Sequence, residues 1–265
     1  MQVKTRRKLG LGLVAFSVLA MSWGVSQQLP YVISKPGPAY NVLGDYDGVE
    51  IIQVSGVPFS ENPGSLDLLT VSVYGRPGNT PNFLDLLDAF FSTDRSILPL
   101  DYFYPIDQTK EETEARDLRE FETSQADAVA AAKLAIAPEI AKTLKVKLDL
   151  SGVVGPSGGL MFALGIIDKA TSDSLTGGKK IAGTGTISAS GVVGPIGGID
   201  YKMISAKRAG DRYFLAPKEN CDEVFGNIPK GLNVFAVETL DDALQILKVV
   251  SRDGDISKLP VCSAK

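Results

Sequence analysis

Histidine is absent from all 265 residues. That absence removes the Ser-His-Asp and Cys-His arrangements for nucleophilic catalysis, and with them every histidine metal site. Cysteine occurs only at Cys221 and Cys262, too few for a cysteine zinc site. No G-x-x-x-x-G-K-[ST] phosphate loop is present, because Gly177-Gly178-Lys179-Lys180 lacks both the spacing and the hydroxyl residue. No cofactor, metal or ATP is therefore expected. The chain also leaves no room for a separate ATPase domain, and it contains no internal repeat.

Negative charge is missing from the start of the chain. Asp45 is the first acidic residue, whereas Lys4, Arg6, Arg7 and Lys8 crowd the first eight positions. The whole chain carries −4; without those four cations 23 Lys and Arg face 31 Asp and Glu, giving −8. So acidic a body argues against a nucleic-acid partner. A hydrophobic content of 44% and a charged content of 22% suit a folded chain with a proper core.

Leu9 to Ser26 contains no charge and ends near Trp23. At about 1.5 Å per residue a helix of that length reaches roughly 27 Å, close to a bilayer's hydrocarbon thickness. The expectation is an uncleaved transmembrane signal anchor; a signal peptide cut after the small residues Val18 and Ala20 is the alternative. Either way the basic end stays cytoplasmic and the body lies outside. The expected organisation is a cytoplasmic basic segment over 1–8 and a membrane span over 9–26. An extracytoplasmic leading segment with the early strands follows over 27–123, a catalytic domain over 124–250 and a tail over 251–265.

Strand signals run over 50–54, 68–74, 145–150, 213–216 and 233–237. A short helix begins at Asn82, and Ser124 to Ala137 is Ala-rich and helical. The charged run Lys110 to Glu120 reads as a solvated helix face. Thr239 suits an N-cap, with Asp241 and Asp242 at the positive end of the helix that follows. Mixed strands and helices give an α+β domain.

Two features carry chemistry. Ser157 stands in Gly155-Pro156-Ser157-Gly158-Gly159 at the mouth of the apolar helix from Leu160 to Ile167. Glycines allow close backbone approach, and helix-start N–H groups favour negative charge, as an oxyanion site requires. The plainer alternative is a strand-to-helix turn with Ser157 as N-cap. Lys202 shares a helix face with Ile199, Met203 and Ala206, at spacings of three and four. A lysine on an apolar face is costly unless neutral or paired, and desolvation lowers its pKa toward that of a general base. The alternative is a lysine whose amine reaches solvent. With no histidine available, lysine is the known substitute base for a serine nucleophile.

Three segments carry a family likeness: G-P-S-G-G-L-M-F-A-L-G-I-I-D, then T-G-G-K-K-I-A-G-T-G-T-I, then G-V-V-G-P-I-G-G-I-D-Y-K-M-I-S-A-K-R-A-G. Together they resemble the Lon proteolytic domain over about 90 residues. The resemblance implies an α+β fold with a mixed sheet and packed helices, and an ATP-independent serine endopeptidase acting on protein or peptide substrates. It implies Ser157 as nucleophile and Lys202 as general base, with Thr184 hydrogen-bonded to the lysine amine and Gly155, Pro156 and Gly158 shaping the turn. The segment Y-V-I-S-K-P-G-P-A-Y-N-V-L-G is similar to that of bacterial membrane-anchored Lon-like proteases. Many of those carry a PDZ module before the serine strand, for which this chain has no room. The expected location is the cell membrane, as a single-pass protein with its catalytic domain extracytoplasmic. Oligomeric state is left open, since Lon domains often form rings.

Two positions depart from the family pattern. Val154 stands where an acidic residue is frequent, and Thr186 where Glu is frequent. They motivate the rival reading of an inactive membrane-anchored scaffold or peptide-binding protein. A nucleotide-using protein built on the Gly-rich turns is a distant third. The leader places the body where disulfides persist, and two cysteines allow one intramolecular pairing, Cys221 with Cys262. Two free thiols are the alternative, and similar relatives carry cysteines at both places.

Overall fold

The computed structural model describes residues 17–18, 21–57, 62–105, 109–150 and 152–263. In chain order the early elements are β1 (Tyr31–Asn41), β2 (Asp45–Tyr46), β3 (Val49–Glu50), β4 (Ile52–Ser55), β5 (Ser65–Tyr74), α1 (Phe83–Phe90) and β6 (Ser96–Pro99). Then come α2 (Lys110–Ala135), α3 (Pro138–Thr143), β7 (Lys145–Leu148), α4 (Gly159–Ala170), β8 (Lys180–Gly183), β9 (Thr186–Ile187) and β10 (Val193–Gly194). The chain finishes with α5 (Ile199–Ala209), β11 (Tyr213–Pro217), α6 (Cys221–Val224), β12 (Asn233–Val237) and α7 (Leu240–Ser251).

Two compact units result, Met1–Lys35 with Ser72–Lys110, and Pro36–Val71 with Glu111–Lys265. In the first, the start of β1 pairs antiparallel with β6, Tyr31 opposite Pro99. The Asn82 side chain accepts from the N–H groups of Leu84 and Asp85, and Asp85 accepts from the Asn82 N–H, closing a capping box on α1. Residues 21–25 are helical. Among the described residues no helix is long and apolar enough to cross a membrane. Of the expected span, positions 9–16, 19 and 20 lie outside the described residues, as does the basic segment 1–8.

In the second unit the strand order is β12-β11-β8-β5-β1, and β5, β8, β11 and β12 run parallel. Alternation along the strands separates two cores. Leu66, Leu68, Ile181, Leu215, Phe235 and Val237 pack with residues of α2, α4 and α7. Leu69, Ala182, Phe214, Ala216, Val234 and Ala236 pack with Ile199, Met203 and Ala206 of α5 and with α6. Helix α4 is buried along its whole length. A single helix, α2, runs across the sequence boundary at 123/124, joining the charged run to the Ala-rich stretch. Both compositions favour helix and no breaker separates them.

From sequence 251–265 is a polar tail that a Cys221–Cys262 bond would pin; over the described part, 252–263, the structure fastens it by that bond and by backbone contacts. Gly254 N–H donates to Val249 O at 2.9 Å and Ala236 N–H to Pro260 O at 3.0 Å. Val261 bridges Phe235 on β12, and Cys262 is bonded to Cys221.

Beneath the far end of α5 two buried carboxyls meet. Asp67 lies on β5 and Asp211 just before β11. Burial pushes both carboxyls upward, and the neighbouring Asp67 pushes Asp211 further, to about 8, with Lys180 opposing in part. One proton held by the pair spares the site two adjacent buried negative charges. The folded state therefore holds a proton that the unfolded chain releases near its usual value of about 3.9. Stability from this pair is present below that value and declines as pH rises toward about 8. Asp211→Asn should raise the melting temperature more at pH above 8 than at acid pH, as differential scanning calorimetry across pH will show. A pH-independent difference would contradict the shared proton.

Candidate active site

The turn preceding α4 is built for close approach. Gly155 has φ +90°, a conformation costly for any residue with a Cβ. Pro156 to Gly158 form one turn of 3₁₀-helix that runs into α4. A Cβ on Gly158 would come within 2.5 Å of a Leu68 methyl, and one on Gly159 within 2.8 Å of Ser124 Oγ. The N-cap position of α4 is Gly158, with no side-chain cap. Ser157 thus does not cap the helix, and its hydroxyl is engaged elsewhere.

Lys202 reaches that hydroxyl from α5. Its Nζ donates to Ser157 Oγ at 2.9 Å and to Thr184 Oγ1 at 2.9 Å. The Thr184 hydroxyl donates in turn to Ser157 O at 3.1 Å, and Gly185 N–H donates to the same carbonyl at 2.9 Å. The backbone of Ser157 is therefore pinned twice by the segment leaving β8. Of Lys202 only 2% is exposed, and Ile199, Met203 and Ala206 around it are fully buried. The amine does not reach solvent, and no carboxylate forms an ion pair with it among the described residues. Burial alone lowers its pKa from 10.5 to about 7.

These contacts define what the group can do. A neutral amine has two N–H bonds and one lone pair. Thr184 has committed its single proton to Ser157 O, so it faces Lys202 as an acceptor. It takes one amine N–H and leaves the lone pair free to face Ser157 Oγ. Thr184→Val keeps the shape and removes that acceptor. The expected result is a tenfold or larger fall in kcat, about 1.4 kcal/mol on the barrier, with a smaller change in melting temperature. Full activity in this variant would reduce Thr184 to a strand residue.

Beside the turn lies a cleft of about 330 Å³, lined by Arg116, Arg119, Glu120, Thr123, Ser124 and Asp127 of α2, by Pro156 and by Thr186 and Ile187 of β9. Thr186 therefore faces the cleft next to the serine turn, while Val154 is exposed. Among the described residues no group of His, Cys, Asp or Glu is arranged to hold a metal ion.

Two positioning residues escape the sequence reading. Ser124 Oγ donates to Pro156 O at 2.8 Å, tying α2 to the peptide that delivers Ser157. Asn220 clamps the loop before α5, accepting from Ile196 N–H at 3.0 Å and donating to Ile196 O at 2.8 Å. Neither stands in a periodic pattern; Ser124 sits between Thr123 and Gln125 in a polar stretch of α2, where nothing in the sequence singles it out. Cys221 and Cys262, both buried, are joined beside the core that carries α5.

Comparison with known proteins matches this part of the chain. Residues 129–250 fit the sequence model of the Lon protease (S16) C-terminal proteolytic domain. The Lon protease of Clostridioides difficile (strain 630) is 35% identical over 120 residues, 43% of this chain and 15% of that protein. The Lon protease of Azospirillum brasilense is 36% identical over 94 residues, 34% of this chain and 11% of that protein. That of Haemophilus influenzae is 38% identical over 93 residues, again 34% and 11%. The chain thus spans 15% or less of the curated relatives it matches. These matches are to the proteolytic domain of Lon proteases, family S16, and each covers less than half of this chain.

Proposed function

We propose that this chain is an ATP-independent serine endopeptidase, with Ser157 as nucleophile and Lys202 as general base, tethered by its N-terminus to the outer side of the cytoplasmic membrane. The observation that carries the reading is the buried amine of Lys202, 2.9 Å from Ser157 Oγ and poised near neutrality by burial. Ser157 Oγ attacks a scissile carbonyl as its proton passes to Lys202 Nζ. The tetrahedral intermediate expels the amine, which takes that proton from Lys202 and leaves an acyl ester on Ser157. Water then attacks the ester, Lys202 again taking and returning the proton, and the acid product departs. Backbone N–H groups of the Gly155–Gly159 turn stabilise the oxyanion. The cleft beside Pro156 receives an extended peptide. The basic start and the uncharged run from Leu9 to Ser26 support the anchor and its orientation.

A serine-directed covalent probe tests the chemistry. Wild type should label at Ser157 and cleave an unfolded protein without nucleotide, and Ser157→Ala should do neither. Failure to label, with the chain folded, would favour an inactive peptide-binding scaffold, the reading motivated by Val154 and Thr186.

A further inference from the structure

We propose that the exposed apolar face of α1, with Tyr102 beside it, lies in the interfacial layer of the bilayer that takes the N-terminal run; this rests on the membrane-anchor reading above. Helix α1 presents Phe83, Leu84, Leu87 and Phe90, and its C-cap Phe91, to the outside. At about 100° per residue these five side chains fall within a stripe of roughly 120°. Phe90 and Phe91 are 72% and 76% exposed. Inward, Ala89 is buried and Leu86 partly so. So wide an apolar stripe turned outward on a short helix needs a partner.

The position of the helix in the chain says which partner. Gln28, two residues beyond the uncharged run, forms an antiparallel bridge with Asn82, the N-cap of α1. Leu29 N–H donates to Pro81 O at 2.8 Å, and Leu100 N–H to Pro30 O at 3.0 Å. Two extended residues span at most about 7 Å. A span ending near Ser26 therefore holds the start of α1 at headgroup depth, and an eight-residue helix extends only about 12 Å from there. Tyr102, two residues past the Leu100–Pro30 contact and 69% exposed, is an aromatic at the same level. Met21 and Trp23, just before the bridge, are exposed apolar side chains as well.

Charge favours an apolar rather than an ionic attachment. Asp85 is engaged by the Asn82 N–H, and Asp88 is paired with Arg95. The helix offers no free cation to an anionic lipid, so binding should follow buried apolar area and resist salt. The consequence is orientation: a second contact fixes the first unit against the bilayer, where the N-terminal span alone would let it swivel.

Trp23 is the only tryptophan, which makes a direct measurement possible. The full chain is reconstituted into phosphatidylcholine vesicles with acyl chains brominated near the headgroup. Wild type reports Trp23, and the double variant Trp23→Phe, Phe90→Trp reports the helix face. Emission from position 90 should be blue-shifted and roughly halved by the bromines, unchanged by raising salt to about 0.5 M. If Trp23 is quenched while position 90 emits as in water, the docking is overturned and the anchor stands. If position 90 is blue-shifted but unquenched, protein covers the face, as a second copy of this chain would, and the docking is again overturned. If Trp23 itself is unquenched, the anchor reading fails, and the docking with it.

Discussion

Lys202→Arg will lower turnover by roughly a thousandfold or more, the scale of a lost general base, in a chain that still folds. A guanidinium stays protonated throughout the working range and offers five donors but no lone pair. It can hold Ser157 Oγ as the lysine does in its charged form, yet it cannot accept the proton. Because arginine is larger and the site is closed, Lys202→Met serves as the companion: it fits the same apolar surroundings and should be equally inactive. The wild-type pH profile supplies the sign. With a pKa lowered to about 7, the amine is neutral above that value, so kcat/KM should rise with pH through about 7 and then level off. An ordinary lysine would place that limb near 10.4. The rate of labelling by a serine-directed probe should follow the same curve.

The linkage of that shift to folding gives a second readout from the same variants. The folded state holds Lys202 neutral in a range where the unfolded chain carries the proton. Stability is therefore reduced fully below about 7 and recovers as pH rises toward 10.5. Lys202→Met should be more stable than wild type by a few kcal/mol at or below neutral pH, and the difference should shrink in alkali. A variant that gains stability while losing activity marks a site strained for function. If Lys202→Arg turned over substrate at the wild-type rate, the base assignment would be wrong.

Lys202 was legible because its neighbours at spacings of three and four are apolar, and the structure buries that face whole. Ser157 was only half legible. Its Gly-rich turn fits an N-cap as well as a nucleophile, and the two part only when a contact 45 residues away is visible. Contacts of that kind are what the sequence conceals. Ser124 lies 32 residues from the carbonyl it holds, and Asn220 lies 24 from its loop. Asp67 sits in a strand that reads as apolar, and nothing near it announces Asp211. The parallel register of β5 and β8, Leu66 beside Ile181, joins strands separated by most of the domain and leaves no periodic mark. Helix continuity over 110–135 was hidden for a different reason: composition changes within it, though propensity does not. Besides the disulfide, the tail is held by backbone hydrogen bonds, Gly254 N–H to Val249 O of α7 and Ala236 N–H of β12 to Pro260 O, which no side-chain pattern encodes.

Replacing both cysteines by serine should cost roughly 4 kcal/mol of stability, the chain-entropy value for a loop of about 40 residues. The bond joins Cys221 at the start of α6 to Cys262 on the tail, 41 residues apart in sequence. Both sulfur-bearing residues are buried against the core formed by Leu69, Phe214 and Met203. Serine at these places adds an uncompensated hydroxyl to the loss of the cross-link, so the double variant errs toward a larger effect. Reduction without substitution separates the two contributions. The local consequence follows from Asn220, which precedes Cys221 and clamps Ile196 in the loop leading to α5. Loosening α6 loosens that clamp before it reaches Lys202, which α5 holds by its own packing against the sheet. Activity of the folded fraction should therefore fall less than stability does. Urea unfolding of oxidised and reduced protein measures the first quantity, and peptide turnover well below the transition measures the second. A stability difference under about 1 kcal/mol would defeat the loop-closure account. Two reactive thiols per chain, in denatured but unreduced protein taken from its native compartment, would show that the bond does not form there.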